Sequence, residues 1–481
     1  MKITNNFRAA AVLVLLAAVL TACSKTAEPG GDKGGDKEQE NCQIVLWHYY
    51  NDVQQNAFAQ LVDEYNRTEG AEKHITVQAY SQGSISELTN KMELVLDDSA
   101  NQVESANMYM AYRDMASTVW RSNPDILVDC SQYFSKEDLE QYNPAYIDEG
   151  YFQDKLYIIP MAKSTELLMM NQTEMDRFMD ANPQYTAEDM TTWEGLARVA
   201  QGYYEWTDSL TPDVPWDGRP FIGIDTLANY FIVSNHAMGS DIYHYDDQGG
   251  LVLDLNETYI KRLFENYYIP FTKGYYGASG KYRSDDIKQS FLAGYIGSSS
   301  STLFFPQEVA DENGDMVPID MGVYPYPYLE GAKKTAIQQG AGIVTINKSQ
   351  RENEACMDFI RWLTMEHSFE MASSMSYMPV GRGELSQEQK DTVKDSRVLS
   401  ALNVGLAQSG EYQMVYGFDF KNSYDVRQSL EQSFLSALSE GREEFQGYLN
   451  AGKTMEEAAQ LMNYDKKSAD FYQRVKGLFG E

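Results

Sequence analysis

The chain has 481 residues, too many for one compact core, so two or three domains are expected. Its formal net charge is −32 and no basic stripe interrupts the acidity, which excludes nucleic-acid binding, where clustered Lys and Arg are required. The composition is otherwise globular, 43% hydrophobic and 23% charged, with 34 tyrosines, a load that suits wet interfaces and planar ligands as well as ordinary cores.

At the N-terminus, Lys2 and Arg8 precede an apolar stretch, Ala9–Leu20, that is too short to span a bilayer stably. It runs into Leu20-Thr21-Ala22-Cys23, which resembles the lipobox of bacterial lipoproteins. That resemblance implies a signal peptide over 1–22, cleavage after Ala22 and lipidation of Cys23, so that the chain is held at the extracellular face of the cytoplasmic membrane. Segment 23–42 is rich in Gly, Asp, Lys and Glu and reads as a flexible tether. Cys42, Cys130 and Cys356 show no metal-binding spacing, and their disulfide state is not readable.

The folded part opens with alternating signals. Ile44–Trp47 reads as a buried strand, and Phe58, Leu61, Val62 and Tyr65 follow at helical spacing. Ile75, Val77 and Ala79 alternate as a second strand. Ser84 and Glu87 form a capping box for a helix carrying Leu88, Met92 and Val95. Ala106–Met110 is a third strand and Asp114–Trp120 a helix. This order predicts parallel βαβ units, with ligands beyond the carboxyl ends of the strands. Those ends carry Trp47, Tyr80 and Tyr112.

The stretch Tyr151–Asn171 reads as a strand over Leu156–Ile159, interrupted by Pro160, then a polar cluster (Lys163, Ser164, Thr165) and the apolar run Leu167–Met170. It is either a plain connector or the passage from one lobe to another. Further along, Thr192 caps a helix, Phe221–Ile224 is a strand, Leu227–Val233 begins a helix and Asp285–Ala293 is helical. Tyr295–Gly297 is a strand entering the serine run Ser298–Ser301, which offers hydroxyls and N–H groups to a ligand or serves as a simple cap. Gly340 and Gly342 allow close backbone approach. An amphipathic helix with Phe359 and Trp362, a Pro-broken Tyr377–Val380 segment and helices carrying Leu430 and the Thr454/Glu457 capping box complete the chain.

No HExxH, GxSxG, P-loop or dinucleotide-binding glycine pattern is present, and the five histidines are scattered. No cofactor and no metal are expected. The acidic residues alone leave a paired-carboxylate glycoside hydrolase open.

The ordered set VLWHYY (Val45–Tyr50), DKLYIIPMAKSTELLMMN (Asp154–Asn171), TWEGLARVA (Thr192–Ala200), YIGSSSS (Tyr295–Ser301), QQGAG (Gln338–Gly342), DFIRWLT (Asp358–Thr364) and YMPVG (Tyr377–Gly381) resembles the family 1 extracellular solute-binding proteins of ABC importers. The resemblance implies an α/β, two-lobed periplasmic-binding-protein-like fold of type II with a ligand cleft between lobes joined by hinge segments. It puts residues 43–158 with 337–378 in the N-terminal lobe and 159–336 with 379–481 in the C-terminal lobe. It further implies a monomeric, non-enzymatic protein that captures a small-molecule carbohydrate, an oligosaccharide, by hinge closure and delivers it to the transmembrane subunits of an ABC permease.

The sugar and glycerol-phosphate binders of that family imply ligand contacts at Ser164, Thr165, Ser299, Ser300, Gly340, Tyr377 and Arg427. Lys163 and Glu166 depart from their pattern, as does the Ala111–Arg113 strand end. Sugar C–H faces need aromatic rings, for which Trp47, Tyr80, Tyr112, Tyr377 and Tyr416 are the candidates. Alternatively Arg113, Lys163 and Arg427 converge on an anionic solute such as a sugar phosphate or uronate.

Overall fold

The computed structural model describes residues 41–96, 105–246, 250–311, 314–420 and 422–480. The lipobox and Cys23 lie outside the described residues. Two open sheets organise this part of the chain.

The first sheet has the order Ile75–Ser81, Cys42–His48, Met108–Ala111, Gly342–Thr345, Ile158–Pro160. Its first three strands are parallel, with Cys42 opposite Ile75 and Leu46 opposite Met108, as the strand–helix alternation predicts. Ile44, Leu46, Phe58, Tyr65 and Leu88 are fully buried, because the strand and helix faces that carry them turn into one core. Ser84 and Glu87 make the reciprocal cap: the Ser84 N–H donates to the Glu87 carboxylate at 2.7 Å and the Glu87 N–H to Ser84 Oγ at 3.2 Å.

The second sheet has the order Gln413–Val415, Thr335–Gln339, Ser164–Asn171, Gly294–Ser298, Ile222–Ile224, and Met321–Tyr324 also pairs with Ser164–Asn171. Every residue of Ser164–Asn171 is buried, which explains its unbroken apolar run. A second core surrounds this sheet, with Trp193, Tyr230, Tyr267 and Tyr326 packed ring against ring. Much of the tyrosine load is therefore core.

The chain passes between the sheets twice within a few residues. Residues 161–163 link Pro160 to Ser164, and residues 340–341 link Gln339 to Gly342. Met378 lies beside the first passage, exchanging backbone hydrogen bonds with Lys163 at 2.7 and 3.1 Å. The helix Ser396–Glu411 also joins the two cores, since Val398, Leu402 and Leu406 belong to the first and Tyr412 and Val415 to the second.

Three sequence expectations change. Pro160 does not interrupt its strand but ends it, opposite Gly342, and the strand lies at the sheet edge, where a missing N–H costs no ladder bond. Leu156 belongs instead to a small hairpin with Tyr151–Phe152. The helix expected over Asp285–Ala293 spans only Arg283–Lys288, because Ser290 turns left-handed at φ +55° and sends Leu292 into a small cluster with Met169 and Tyr295. Among the described residues no helix is long and apolar enough to cross a membrane.

Candidate functional site

A cavity of about 250 Å³ opens where the two sheets face each other. From the first core it takes Thr89, Tyr112, Arg113, Asp114 and Glu149; from the second, Asn229, Tyr416, Tyr424 and Arg427; from the passage between them, Gln338 and Gln339. Tyr112 follows directly on the strand Met108–Ala111, so the cavity lies off a carboxyl strand end, as βαβ geometry dictates. Arg427 stands in the second turn of the 28-residue helix Ser423–Asn450, and Asn229 in the first turn of Leu227–Met238.

The wall mixes donors and acceptors. Arg427 donates from Nη2 to Asn229 Oδ1 at 2.7 Å, and Asn229 Nδ2 donates to Glu166 Oε1 at 2.7 Å. Asp114 uses one oxygen to accept its neighbour's N–H, from Met115 at 2.7 Å. Burial raises its pKa above the usual carboxylate value, with the Met115 N–H and Arg427 opposing. Glu431 is raised by burial as well, against the Ala228 and Leu227 N–H groups that it accepts at 2.7 and 3.2 Å.

Hydrogen bonds tie the two sides together at the rim. Arg113 Nε reaches Asp419 Oδ2 at 3.0 Å, Ser117 Oγ donates to the Asp419 carbonyl at 2.9 Å, and Ser86 Oγ meets Tyr424 Oη at 2.8 Å. Tyr377 is buried, its ring 6.3 Å from that of Tyr50.

Of the residues singled out from the sequence, Tyr112, Tyr416 and Arg427 line the cavity. Tyr377 connects to it through a run of rings: Tyr50 lies 6.3 Å from Tyr377, Tyr49 lies 5.2 Å from Tyr50, and Tyr49 stacks on Tyr112 at 6.2 Å. Trp47 is buried beneath Lys91, whose Nζ lies 3.8 Å from its ring centre. Tyr80 is 49% exposed and turns to Gln78, at 2.9 Å. Ser164, Thr165 and Ser299 are buried in the passage, where the Thr165 N–H donates to Ser299 Oγ at 3.3 Å and Thr165 Oγ1 to the Ile337 carbonyl at 2.7 Å. Ser300 is engaged by Ser298, whose Oγ accepts the Ser300 N–H, so one serine caps this turn. Gly340 sits at φ +95° with its carbonyl accepting from Lys163 Nζ at 3.0 Å.

The three cations expected to converge on an anion do not. Lys163 is buried with Nζ 2.5 Å from Glu149 Oε2, and Arg113 is held by Asp419 and by the Glu149 and Tyr151 carbonyls. Carboxylates placed within reach by the fold neutralise both. Asn229, Asp114 and Glu149 escaped the sequence reading. Asn229 did leave a signal: it is an amide inside the apolar turn Leu227–Val233, which an all-buried helix tolerates only with a partner. Nothing local marks Glu149.

Glu166 is fully buried and burial lifts its pKa from 4.5 to about 8, with the Asn229 amide and Arg427 opposing. The folded state therefore holds that proton more tightly than the unfolded chain. Its contribution is complete below the unfolded value of 4.5, declines as pH rises toward about 8, and is level above. The loss is bounded by about 5 kcal/mol. Glu166→Gln, neutral throughout, should remove this slope, so its Tm should gain on the wild type between about pH 5 and pH 8 and then hold a constant lead. Parallel Tm–pH curves would contradict the assignment.

A family model described as bacterial extracellular solute-binding protein matches residues 60–395. Among curated proteins, none matches the sequence. The fold is similar to that of a cyclic alpha-maltosyl-1,6-maltose binding protein from Arthrobacter globiformis, with TM-score 0.64, 15% identity and coverage of 91% of this chain and 99% of that one. It is also similar to an ABC substrate-binding protein of Listeria monocytogenes in complex with cycloalternan (TM-score 0.61, 13% identity, 92% and 100% covered). A third similar structure is UgpB of Mycobacterium tuberculosis in complex with glycerophosphocholine (TM-score 0.60, 15% identity, 91% and 98% covered).

Proposed function

We propose that this chain, which belongs to the family of bacterial extracellular solute-binding proteins, captures a carbohydrate in the cavity between its two lobes and presents it to the permease of an ABC importer. The observation that carries this reading is the cavity wall. Tyr112, Tyr416 and Tyr424 offer rings, while Arg427, Asn229, Gln338 and Asp114 offer donors and acceptors in balance. A sugar needs both, because its C–H faces seek aromatic surface and each hydroxyl both donates and accepts. The sugars named for the similar structures support the same class.

A carbohydrate with an acidic substituent is the second reading. Arg427 favours it, but Arg113 and Lys163 no longer do, being paired with Asp419 and Glu149. Lipid attachment at Cys23, a monomeric state, delivery to transmembrane subunits and the absence of catalysis belong to the proposal. So do the lobes 43–158 with 337–378 and 159–336 with 379–481, with their bounds moved: Ile159 and Pro160 lie in the first sheet, residues 337–339 lie in the second, and Val380, Val398 and Leu406 pack in the first core, which supports placing a third passage within the helix Ser396–Glu411. Ligand contacts made by both lobes then stabilise the closed form over the open one.

A thermal-shift screen of neutral and acidic oligosaccharides tests this. A true ligand at a hundredfold excess over Kd stabilises by about 2.7 kcal/mol, a readily measured rise in Tm. Neutral sugars should give the larger rise, and Arg427→Ala should abolish any response to acidic ones. Hydrolysis of a panel member, lost on substitution of one cavity carboxylate, would replace the importer reading with a surface hydrolase.

A further inference from the structure

Glu166 is a buried carboxyl group on the strand that enters the second lobe, one residue beyond Thr165. Only 1% of it is exposed. Oε1 accepts from Asn229 Nδ2 at 2.7 Å, while Oε2 has no hydrogen-bond partner among the described residues. The amide of Asn229 has two ends. With its NH₂ committed to Glu166, its oxygen must face the other way, and there it accepts from Arg427 Nη2 at 2.7 Å. Arg427 has no carboxylate within ion-pair distance among the described residues, and its remaining N–H groups border the cavity. A chain of two hydrogen bonds thus runs from the passage strand to a cation at the ligand wall.

We propose that Glu166 is a positioning residue of the cleft, which through Asn229 fixes the orientation of Arg427 at the cavity wall and so sets how much positive charge the ligand meets. This rests on the solute-binding reading above.

The charge state follows from the surroundings. The groups facing Glu166 are Asp225 ahead of the helix Leu227–Met238, Asn229 in it, Tyr326 across the core, and Arg427 and Glu431 on the long helix. Arg427 is the single cation among them. Burial and the carboxylates Asp225 and Glu431 favour the neutral acid, with the proton on the unpartnered Oε2. In that state Arg427 is shared only with Asn229 and faces the cavity. When Glu166 ionises, the new charge attracts Arg427 back toward the strand and offsets its charge. Ligand affinity should therefore fall as pH rises through about 8.

Two measurements decide this, one without any ligand. In ¹⁵N-arginine-labelled protein, the Arg427 Nε–Hε resonance, assigned by its loss in Arg427→Lys, should move between pH 7 and pH 9.5. In Glu166→Gln, which keeps the acceptor but cannot ionise, it should stay fixed. Glu166→Leu, which cannot accept from Asn229, should displace it at both pH values; should that variant fail to fold, the glutamine variant decides. A shift of equal size in wild type and Glu166→Gln, or in neither, overturns the relay. The second measurement is maltotriose titration by calorimetry. Its Kd should weaken roughly tenfold from pH 7 to pH 9.5 in the wild type, the size of about one charge-assisted hydrogen bond from Arg427 to a sugar hydroxyl lost when Glu166 draws the guanidinium away. In Glu166→Gln the ratio should drop to about one. Absence of heat with maltotriose, with the arginine resonance behaving as expected, counts against this sugar and leaves the relay standing. Heat that shows the same pH ratio in both proteins overturns the relay and leaves the sugar reading standing.

Discussion

Replacing Lys163 by methionine should destabilise the folded protein by about 3–5 kcal/mol, the cost of leaving a buried charge without its partner. Lys163 is 1% exposed. Its ammonium group lies 2.5 Å from Glu149 Oε2 and donates to the Gly340 carbonyl at 3.0 Å. Glu149 Oε2 accepts a further bond from Gln338 Nε2 at 2.6 Å. One side chain therefore joins the first passage to the second and both to a wall residue of the cavity, while its backbone bridges Met378. Methionine fills similar space, so the loss is electrostatic rather than steric. Glu149 would then be held by the Gln338 amide alone. Urea denaturation should show a lower midpoint at unchanged slope, and Lys163→Met combined with Glu149→Leu should recover most of the loss, since neither charge is left buried. A single variant within 1 kcal/mol of wild type would show that the pair does not hold the passages together.

The same residue explains where reading the sequence stops. Local signals carried the frame. An apolar run placed Ile44–Trp47, and capping boxes placed the helices after Ser84 and Thr454, because each depends on residues within a few positions. The βαβ order put Tyr112 at a strand end, and the cavity is there. Charge pairing is different. Lys163 looked available until folding brought Glu149 to it, and Arg113 until Asp419, 306 positions away, arrived. Trp47 stood at a strand end with the right chemistry, yet Lys91 covers it. Spacing tells which face a side chain is on. It does not tell which long-range partner will reach that face first. Glu166 shows the converse: a lone acid in an apolar strand already demanded a buried partner, and Asn229, itself an amide among the apolar residues of the first turns of its helix, supplies it.

Gly340→Ala should be nearly as damaging as the loss of Lys163, at about 3–5 kcal/mol, and for a purely steric reason. Gly340 adopts φ +95°, a conformation that side chains with a Cβ rarely accept. An added Cβ would also stand 2.2 Å from the carbonyl oxygen of Ala162 and 3.0 Å from Lys163 Cα, both backbone atoms of the neighbouring passage. Neither can swing aside as a side chain could. The two passages would have to separate, and with them the Lys163–Gly340 bond and the Thr165–Ile337 bond that lie along the same seam. Gly331 provides the comparison. It too has positive φ, at +74°, but nothing lies within 4 Å of its added Cβ. Gly331→Ala should therefore cost only the backbone term, about 1 kcal/mol. The difference between the two variants in urea midpoint isolates the contact between passages. If the difference vanishes, the passages are not in contact in solution. If it stands, the segments between the sheets are packed as tightly as core.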